Sequence, residues 1–428
     1  MISLLFISFL VFLFISLPVA VCLGFASLVA LYMKDIPLIT VAQSVFESLD
    51  SFALMAVPFF ILAGNLMQTG GMSRRLINLA NVLVGWFRGG LGSVAVLTSM
   101  FFATISGSSS ATTAAVGSTL IPAMEKKGYP KNFATATCAA SGELGVIIPP
   151  SIPMVIYGLV ANVSVGSLFL AGFIPGLMIG LSLILTIIIV ARVKGYDVVN
   201  RTSKRQWLKD LWKAFADSAL ALLMPFIILG GIYKGWFTPT EASVIAVVYG
   251  FAVGMFVYRE IKWKDLMPIF AKSSLATSVI MMIVAYASIF GYILTIEEVP
   301  QKLGKAIAEF SDNPIVFLLL VNVFLFIAGT IMEALITIII VAPILAPIAL
   351  QFGIDPVHFG IIMVVNVAIG MLTPPVAVNL VVACQIAKIK MSQLTRPVLL
   401  YLGILTLDVL IISYVPAITT WLPSFMQG

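Results

Sequence analysis

Apolar runs recur along the whole chain, among them Leu4 to Met33, Leu168 to Ala191 and Val398 to Val415, with short polar segments between them. At ~1.5 Å per helical residue, each run can cross the ~30 Å hydrocarbon layer of a bilayer. Their spacing predicts one series of elements, met twice. A helix (3–33; 238–258) leads to an interfacial stretch (36–48; 261–272), a second helix (50–69; 274–296) and an amphipathic helix (73–87; 299–311). Two apolar arms with a small-residue or polar tip follow (90–125; 314–350), then a helix interrupted by Pro-Pro (131–162; 357–387) and a last helix (168–191; 395–418). One unmatched helix, 216–234, lies between the series and turns the second upside down relative to the first.

The duplication is visible in the residues themselves. Pro149-Pro150 and Pro374-Pro375 stand 225 positions apart, and the same offset carries Gly145 onto Gly370, Pro122 onto Pro347 and Gly128 onto Gly353. Upstream, with a shift of two, Gly64 falls on Gly291 and Leu76 on Leu303. The expected fold is an all-α polytopic membrane protein of two inverted-topology repeats. Residues 1–191 form the first repeat, 192–234 a basic cytoplasmic loop, interfacial segment and extra crossing helix, and 235–428 the second repeat.

Composition makes lipid the solvent. Hydrophobic residues are 61% of the 428 and charged ones 10%, against about 25% charged in a soluble domain. Cys22, Cys138 and Cys384 are scattered in apolar segments with no metal spacing, so small core residues are expected rather than a disulfide framework. The first apolar run lacks a basic n-region and exceeds a signal-peptide core, so a first transmembrane helix is expected there. Arg192 to Lys213 holds seven of the 24 Lys and Arg residues, which places this loop in the cytoplasm. Traced outward from it, the series puts 20 basic residues inside and 4 outside, namely Lys34, Lys234, Lys302 and Lys305. A cytoplasmic N-terminus and a periplasmic C-terminus follow.

The arms of 90–125 and 314–350 have only about 15 apolar residues each, below the ~20 of a spanning helix. Both ends of the first pair are basic (Arg88; Lys126, Lys127), so the arms read as re-entrant hairpins, one from each face. The first tip, Thr104 to Thr113, is crowded with hydroxyls. Backbone outside a helix survives at membrane depth only when it is buried in protein or lines a wet cavity. Serines there can cap the following helix, whose N-terminus offers free N–H groups to an anion. Small residues also permit close helix packing, which is the plainer account of the same run.

The double prolines carry the sharpest chemistry. Without N–H groups, Pro149 and Pro150 cannot pair with the carbonyls of Gly145 and Val146, nor Pro374 and Pro375 with those of Gly370 and Met371. Oxygens freed near mid-membrane suit a desolvated cation, and sodium takes ligands of this kind; water or hydroxyl side chains at simple kinks would be the alternative. Pairing each break with its tip gives two candidate sodium sites. The first comprises Ser106, Ser108, Gly145, Ile148 and Pro150; the second Gly329, Thr330, Met332, Gly370, Thr373 and Pro375. The anion is expected between them, near Ser108, Ser109, Ser110 and Asn366. Among intramembrane ionisable residues, Glu143 and Glu333 are central, Glu333 as a counter-charge or helix cap, while Asp408 suits helix packing. His358, the single histidine, begins a helix and reads as structural. No catalytic residues and no cofactor are expected beyond sodium as coupling ion.

The tip Ser106 to Ser110, the break Gly145 to Ser151 and the break Gly370 to Pro375, set in this repeat, resemble the large membrane (M) subunit of tripartite ATP-independent periplasmic (TRAP) transporters, over essentially the whole chain. The resemblance implies a multi-pass protein of the bacterial inner membrane with an elevator-type, ion-transporter-like fold, in which hairpins and broken helices slide against a scaffold of outer helices. It implies two partners, a separate small four-helix membrane subunit and a periplasmic binding protein that delivers the substrate. It also implies an organic-anion cargo such as a C4-dicarboxylate or sialic acid, with the sialic-acid members the nearest in appearance. The function expected is secondary active transport, a sodium symport.

Two other readings share some of these residues. A stand-alone sodium–dicarboxylate carrier would have the same broad architecture and would work without a binding protein. An intramembrane serine protease would join Ser109, in Gly107 to Ser109, to His358, which requires hydrogen-bond contact between them.

Overall fold

The computed structural model describes residues 2–196, 204–374 and 377–427. It is helical, with no strand among the described residues. The first half runs α1 (Ile2–Phe14), α2 (Val19–Tyr32), α3 (Ile39–Leu49), α4 (Ala56–Thr69), α5 (Met72–Val84), α6 (Gly90–Ser106), α7 (Ser109–Lys126), α8 (Lys131–Gly142), α9 (Leu144–Ile147), α10 (Ile152–Val160) and α11 (Val165–Lys194). After α12 (Lys204–Tyr233) come α13 (Pro239–Ala252), α14 (Trp263–Ile296), α15 (Val299–Phe310), α16 (Pro314–Ile331), α17 (Ala334–Gln351), α18 (Pro356–Gly370), α19 (Val378–Ala387), α20 (Thr395–Tyr414) and α21 (Ala417–Gln427). Among the described residues seven helices are long and apolar enough to span a membrane, or eight counting the bent pair Lys131–Ile147 and Ile152–Val160 as one.

The repeat is carried into the fold. A shift of 225 places Ser109–Lys126 on Ala334–Gln351, end to end. Local chemistry starts these helices where the sequence puts a capping oxygen. The side chains of Ser108, Ser151, Ser164, Asn313 and Asp355 each accept from a backbone N–H of the first turn that follows.

Four expected elements differ. The unmatched helix, expected over 216–234, already begins at Lys204 and takes in the end of the basic loop. Residues 3–33 are not one helix. Ser16 has φ 65° and Leu17 N–H returns to Phe12 O at 3.3 Å, closing α1, and Pro18 cannot extend it. α2 then folds back along α1, with the rings of Phe12 and Phe25 5.9 Å apart. The interfacial stretch 261–272 is instead the opening of a 34-residue α14, because its proline, Pro268, sits in the second turn and forfeits one bond near the helix end. The hairpin arms are 17 or 18 residues, or ~26 Å, longer than expected, because helix resumes at Ser109 directly after the Ser108 cap.

Packing sorts most helices into two groups, which also touch directly where α4 meets α6 and α10 and where α14 meets α17. α2, α3 and α4 pack on α14, and α4 also on α13. Hairpins α6–α7 and α16–α17, the broken helices and α11, α20 and α21 pack among themselves. Amphipathic α5 and α15 bridge the groups, α5 to α6 and α15 to α17. Beside α12 lies a cleft of about 1480 Å³, bounded by Leu76 and Leu79 of α5, Met100 and Phe101 of α6, Phe173 of α11 and Trp212, Phe215 and Phe226 of α12. Its walls are almost wholly hydrocarbon.

Candidate functional site

The first hairpin turns on Gly107, whose φ of 59° suits glycine. The turn is tied by hydroxyls. Ser106 Oγ lies 2.8 Å from Thr112 Oγ1, Thr112 Oγ1 donates to Ser108 O at 2.8 Å, and Ser108 Oγ and Ser110 Oγ are 3.3 Å apart. The broken helix meets this turn directly. Ile152 N–H donates to Gly107 O at 3.4 Å, and a Cβ on Gly107 would stand 3.1 Å from Pro150 O. Gly145 presses on the other side, where an added Cβ would meet Ser108 O at 2.5 Å. Ser106, Ser108, Gly145 and Pro150 are therefore one cluster. Ile148 turns its side chain onto Gly176 of α11, so any contribution it makes to that cluster comes from backbone alone.

At the second site the approach is closer still. A Cβ on Gly370 would lie 2.7 Å from Gly329 Cα, so hairpin α16–α17 and α18 cross backbone to backbone. Thr373 Oγ1 is buried there with no hydrogen-bond partner among the described residues. Thr330 Oγ1 instead donates to Ile327 O of its own helix at 2.8 Å, leaving it to act through its backbone. Met332, half-buried and extended (φ −126°, ψ 153°), ends the first arm. Pro375 lies outside the described residues.

The four carbonyls expected to be free are not equivalent. Val146 O accepts from Ser151 Oγ at 2.5 Å, and Gly370 O accepts from Thr373 N–H at 2.8 Å. Those two are corrected: a hydroxyl two residues past the prolines and a tightened last turn satisfy them. Gly145 and Met371 have proline four residues on, at 149 and 375, and so no helical donor. Ser151, with no assigned role from sequence, is the residue that shapes the first break; its place directly after Pro-Pro was the available signal.

The proposed anion residues divide. Ser109 is buried and Ser110 half-buried in the first turn of α7, beside the first cluster. Asn366 does not join them: its Nδ2 donates to Asn322 Oδ1 at 2.5 Å, and Asn322 Nδ2 donates to Ser413 Oγ at 3.1 Å, a buried chain across α16, α18 and α20. Its amide is committed to helix packing. Asp408 accepts from Ser182 Oγ at 2.5 Å, joining α20 to α11. Glu333 precedes α17 but makes no side-chain cap; only its carbonyl is used, by Thr337. His358 Nδ1 pairs with Thr419 Oγ1 at 2.7 Å and Nε2 lies 3.3 Å from Ser413 O, fixing the α20–α21 bend. With both ring nitrogens engaged, no dyad with Ser109 exists.

Comparison with known proteins follows the geometry. The family described as the tripartite ATP-independent periplasmic transporter, DctM component, matches residues 6–418. The chain is 46% identical over 387 residues to the C4-dicarboxylate TRAP transporter large permease protein DctM of Pseudomonas aeruginosa, covering 90% of each. It is 45% identical over 421 residues to the isethionate TRAP transporter permease protein DctMQ of Oleidesulfovibrio alaskensis, covering 98% of this chain but 65% of that longer protein. The sialic acid TRAP transporter large permease protein SiaM of Vibrio cholerae is 38% identical, covering 97% of each. Among solved structures the Alcanivorax borkumensis YdaH transporter shares the fold, with TM-score 0.61, 16% identity and coverage of 87% of this chain and 86% of that one.

Proposed function

The chain belongs to the DctM component family of TRAP transporters, a family of membrane transporters rather than enzymes, and from that premise we propose that it is the large permease of a sodium-coupled importer of small organic anions. One observation carries the reading. Each Pro-Pro-broken helix is in backbone contact with its own hairpin tip, Gly145 on Ser108 and Gly370 on Gly329. At the first contact the Gly145 carbonyl, denied its helical donor by Pro149, lies beside the hydroxyl-tied turn of Ser106 and Ser108; near the second, Thr373 Oγ1 has no hydrogen-bond partner among the described residues. Such paired sites at a repeat interface are what a secondary transporter uses for its coupling ions. Sodium at each break holds tip and broken helix together, and the first turn of α7, with Ser109 and Ser110, receives the anion through its free N–H groups. The tips, broken helices, α11 and α20 then move as one body against the group of α2–α4, α13 and α14, as an elevator. The fold-back of α1 on α2 removes the single crossing from which a cytoplasmic N-terminus was expected, and puts residue 2 at the same end as Lys34.

Relatives named for C4-dicarboxylate and isethionate are more similar to this chain than the one named for sialic acid, so a small dicarboxylate or sulfonate is the favoured cargo. The small membrane subunit and a periplasmic binding protein are the proposed partners, in the bacterial inner membrane. The test is uptake of radiolabelled succinate, isethionate and sialic acid into proteoliposomes carrying all three components, with and without an inward sodium gradient. Uptake that needs both sodium and the binding protein supports the reading. Uptake without the binding protein replaces it with a stand-alone carrier, and uptake indifferent to sodium removes the coupling.

A further inference from the structure

Three oxygens are buried without a partner among the described residues where α7, α8 and α19 pack on one another. Glu143, at the end of α8, is fully buried; its Oε1 accepts from Asn379 Nδ2 at 2.5 Å and its Oε2 has no partner. Asn379, in the first turn of α19, is equally buried, and its Oδ1 is unpartnered. Thr113 Oγ1 of α7, pressed against Gly142, is the third. Among the described residues no Lys, Arg or His forms an ion pair with Glu143.

Packing does not require these groups. The 225-residue offset maps Glu143 onto Ala368, Thr113 onto Ile338 and Asn379 onto Met154, all buried and apolar, where α10, α17 and α18 meet in the same way. One half of the protein fills this junction with hydrocarbon; the other places a carboxylate, an amide and a hydroxyl there. A buried carboxylate is costly unless a positive charge and further ligands compensate it.

We propose that Glu143 Oε2, Asn379 Oδ1 and Thr113 Oγ1 bind a monovalent cation, sodium, at a third site separate from the two helix breaks. A proton on Oε2 can donate to one neighbouring oxygen only, whereas a hard cation takes several oxygens at once. One carboxylate with two neutral ligands balances a single positive charge. Because Glu143 lies two residues before Gly145 and Asn379 begins the helix after the second break, an ion here joins the two broken helices. The site rests on the reading that the chain binds sodium.

The experiment is equilibrium binding of ²²Na⁺ to the purified chain in lipid nanodiscs, comparing wild type with Glu143→Gln, Thr113→Val and Thr373→Val. The expected result is three sodium ions in wild type and two in Glu143→Gln, with Thr373→Val weakening a different ion. Thr113→Val should weaken the Glu143-dependent ion by about tenfold or more, as loss of a supporting ligand does. If Glu143→Gln is not monodisperse, Thr113→Val decides, and an unchanged isotherm overturns the site. Unchanged stoichiometry and affinity in Glu143→Gln also overturn it, leaving a protonated carboxyl. A wild type that binds one ion, lost in Glu143→Gln and untouched by Thr373→Val, would retain this site and remove the two at the breaks.

Discussion

Ser151 Oγ donates to Val146 O at 2.5 Å and so closes the gap that Pro149 and Pro150 open in their helix. The same oxygen accepts from Met154 N–H at 3.4 Å and caps α10. One hydroxyl thus terminates one helical segment and begins the next, and the bend between them is 42°. Ser151→Ala leaves a buried carbonyl and a helix start without partners. The expected cost is about 1–3 kcal/mol, seen as a lower apparent melting temperature in detergent, with Ser151→Thr retaining most of the stability.

Gly370→Ala should separate the second tip from its break. The added methyl would lie 2.7 Å from Gly329 Cα, and neither backbone can yield without moving a helix. Overpacking costs about 1–3 kcal/mol, so half-saturation by sodium should rise about tenfold, since 1.4 kcal/mol is a factor of about 10. Uptake measured against sodium concentration checks this; an unchanged curve would detach the Gly329–Gly370 contact from ion binding.

Thr373→Val removes a buried oxygen that has no partner among the described residues. Since no internal hydrogen bond is lost, thermal stability without sodium should hold or increase. Sodium-dependent stabilisation should shrink, with half-saturation raised about 2- to 10-fold, as for a neutral interaction of about 0.5–1.5 kcal/mol. Thr373→Ser should behave as wild type.

Outside the spans, Lys34 hydrogen-bonds Glu297 and holds that carboxyl below its ordinary range. A lowered value in the folded protein means that the contact stabilises above the unfolded carboxyl's value of about 4.3. That contribution is lost as pH falls through the lower folded value. Melting profiles of wild type and Glu297→Gln should therefore differ at pH 7 and converge in acid. Because the pair is exposed, the difference should be small and should fall with added salt.

Much of this was legible in the chain because proline and the capping residues act locally. Pro149-Pro150 and Pro374-Pro375 announce breaks whatever surrounds them, and Ser108 marks a helix start by its own side chain. The repeat offset then matched the second tip and break to the first, and each break was paired with the tip of its own half. What stayed hidden depends on distance in sequence or on balance between neighbours. The stop at Ser16 to Pro18 is masked by apolar residues on both sides, so hydropathy alone merged α1 and α2. Asn366 sits where an anion ligand was wanted, yet Asn322, itself held by Ser413, accepts from its amide. Asn379 meets Glu143 across 236 positions, and no spacing rule connects them.

If transport proceeds by the proposed sliding of helix groups, the hydrocarbon-walled cleft beside α12 ties the protein's speed to its solvent. Acyl chains are what a bilayer supplies to such a space, so helices on either side are lubricated rather than interlocked. Under the proposed motion the boundary along this cleft slides past lipid, while the contacts of α4 with α6 and of α14 with α17 have to be exchanged, so part of the drag belongs to the membrane. Longer or more saturated chains would slow turnover while leaving affinity for ion and cargo where it was, and a bulky residue at Phe101 or Phe215 would act like local stiffening of the bilayer.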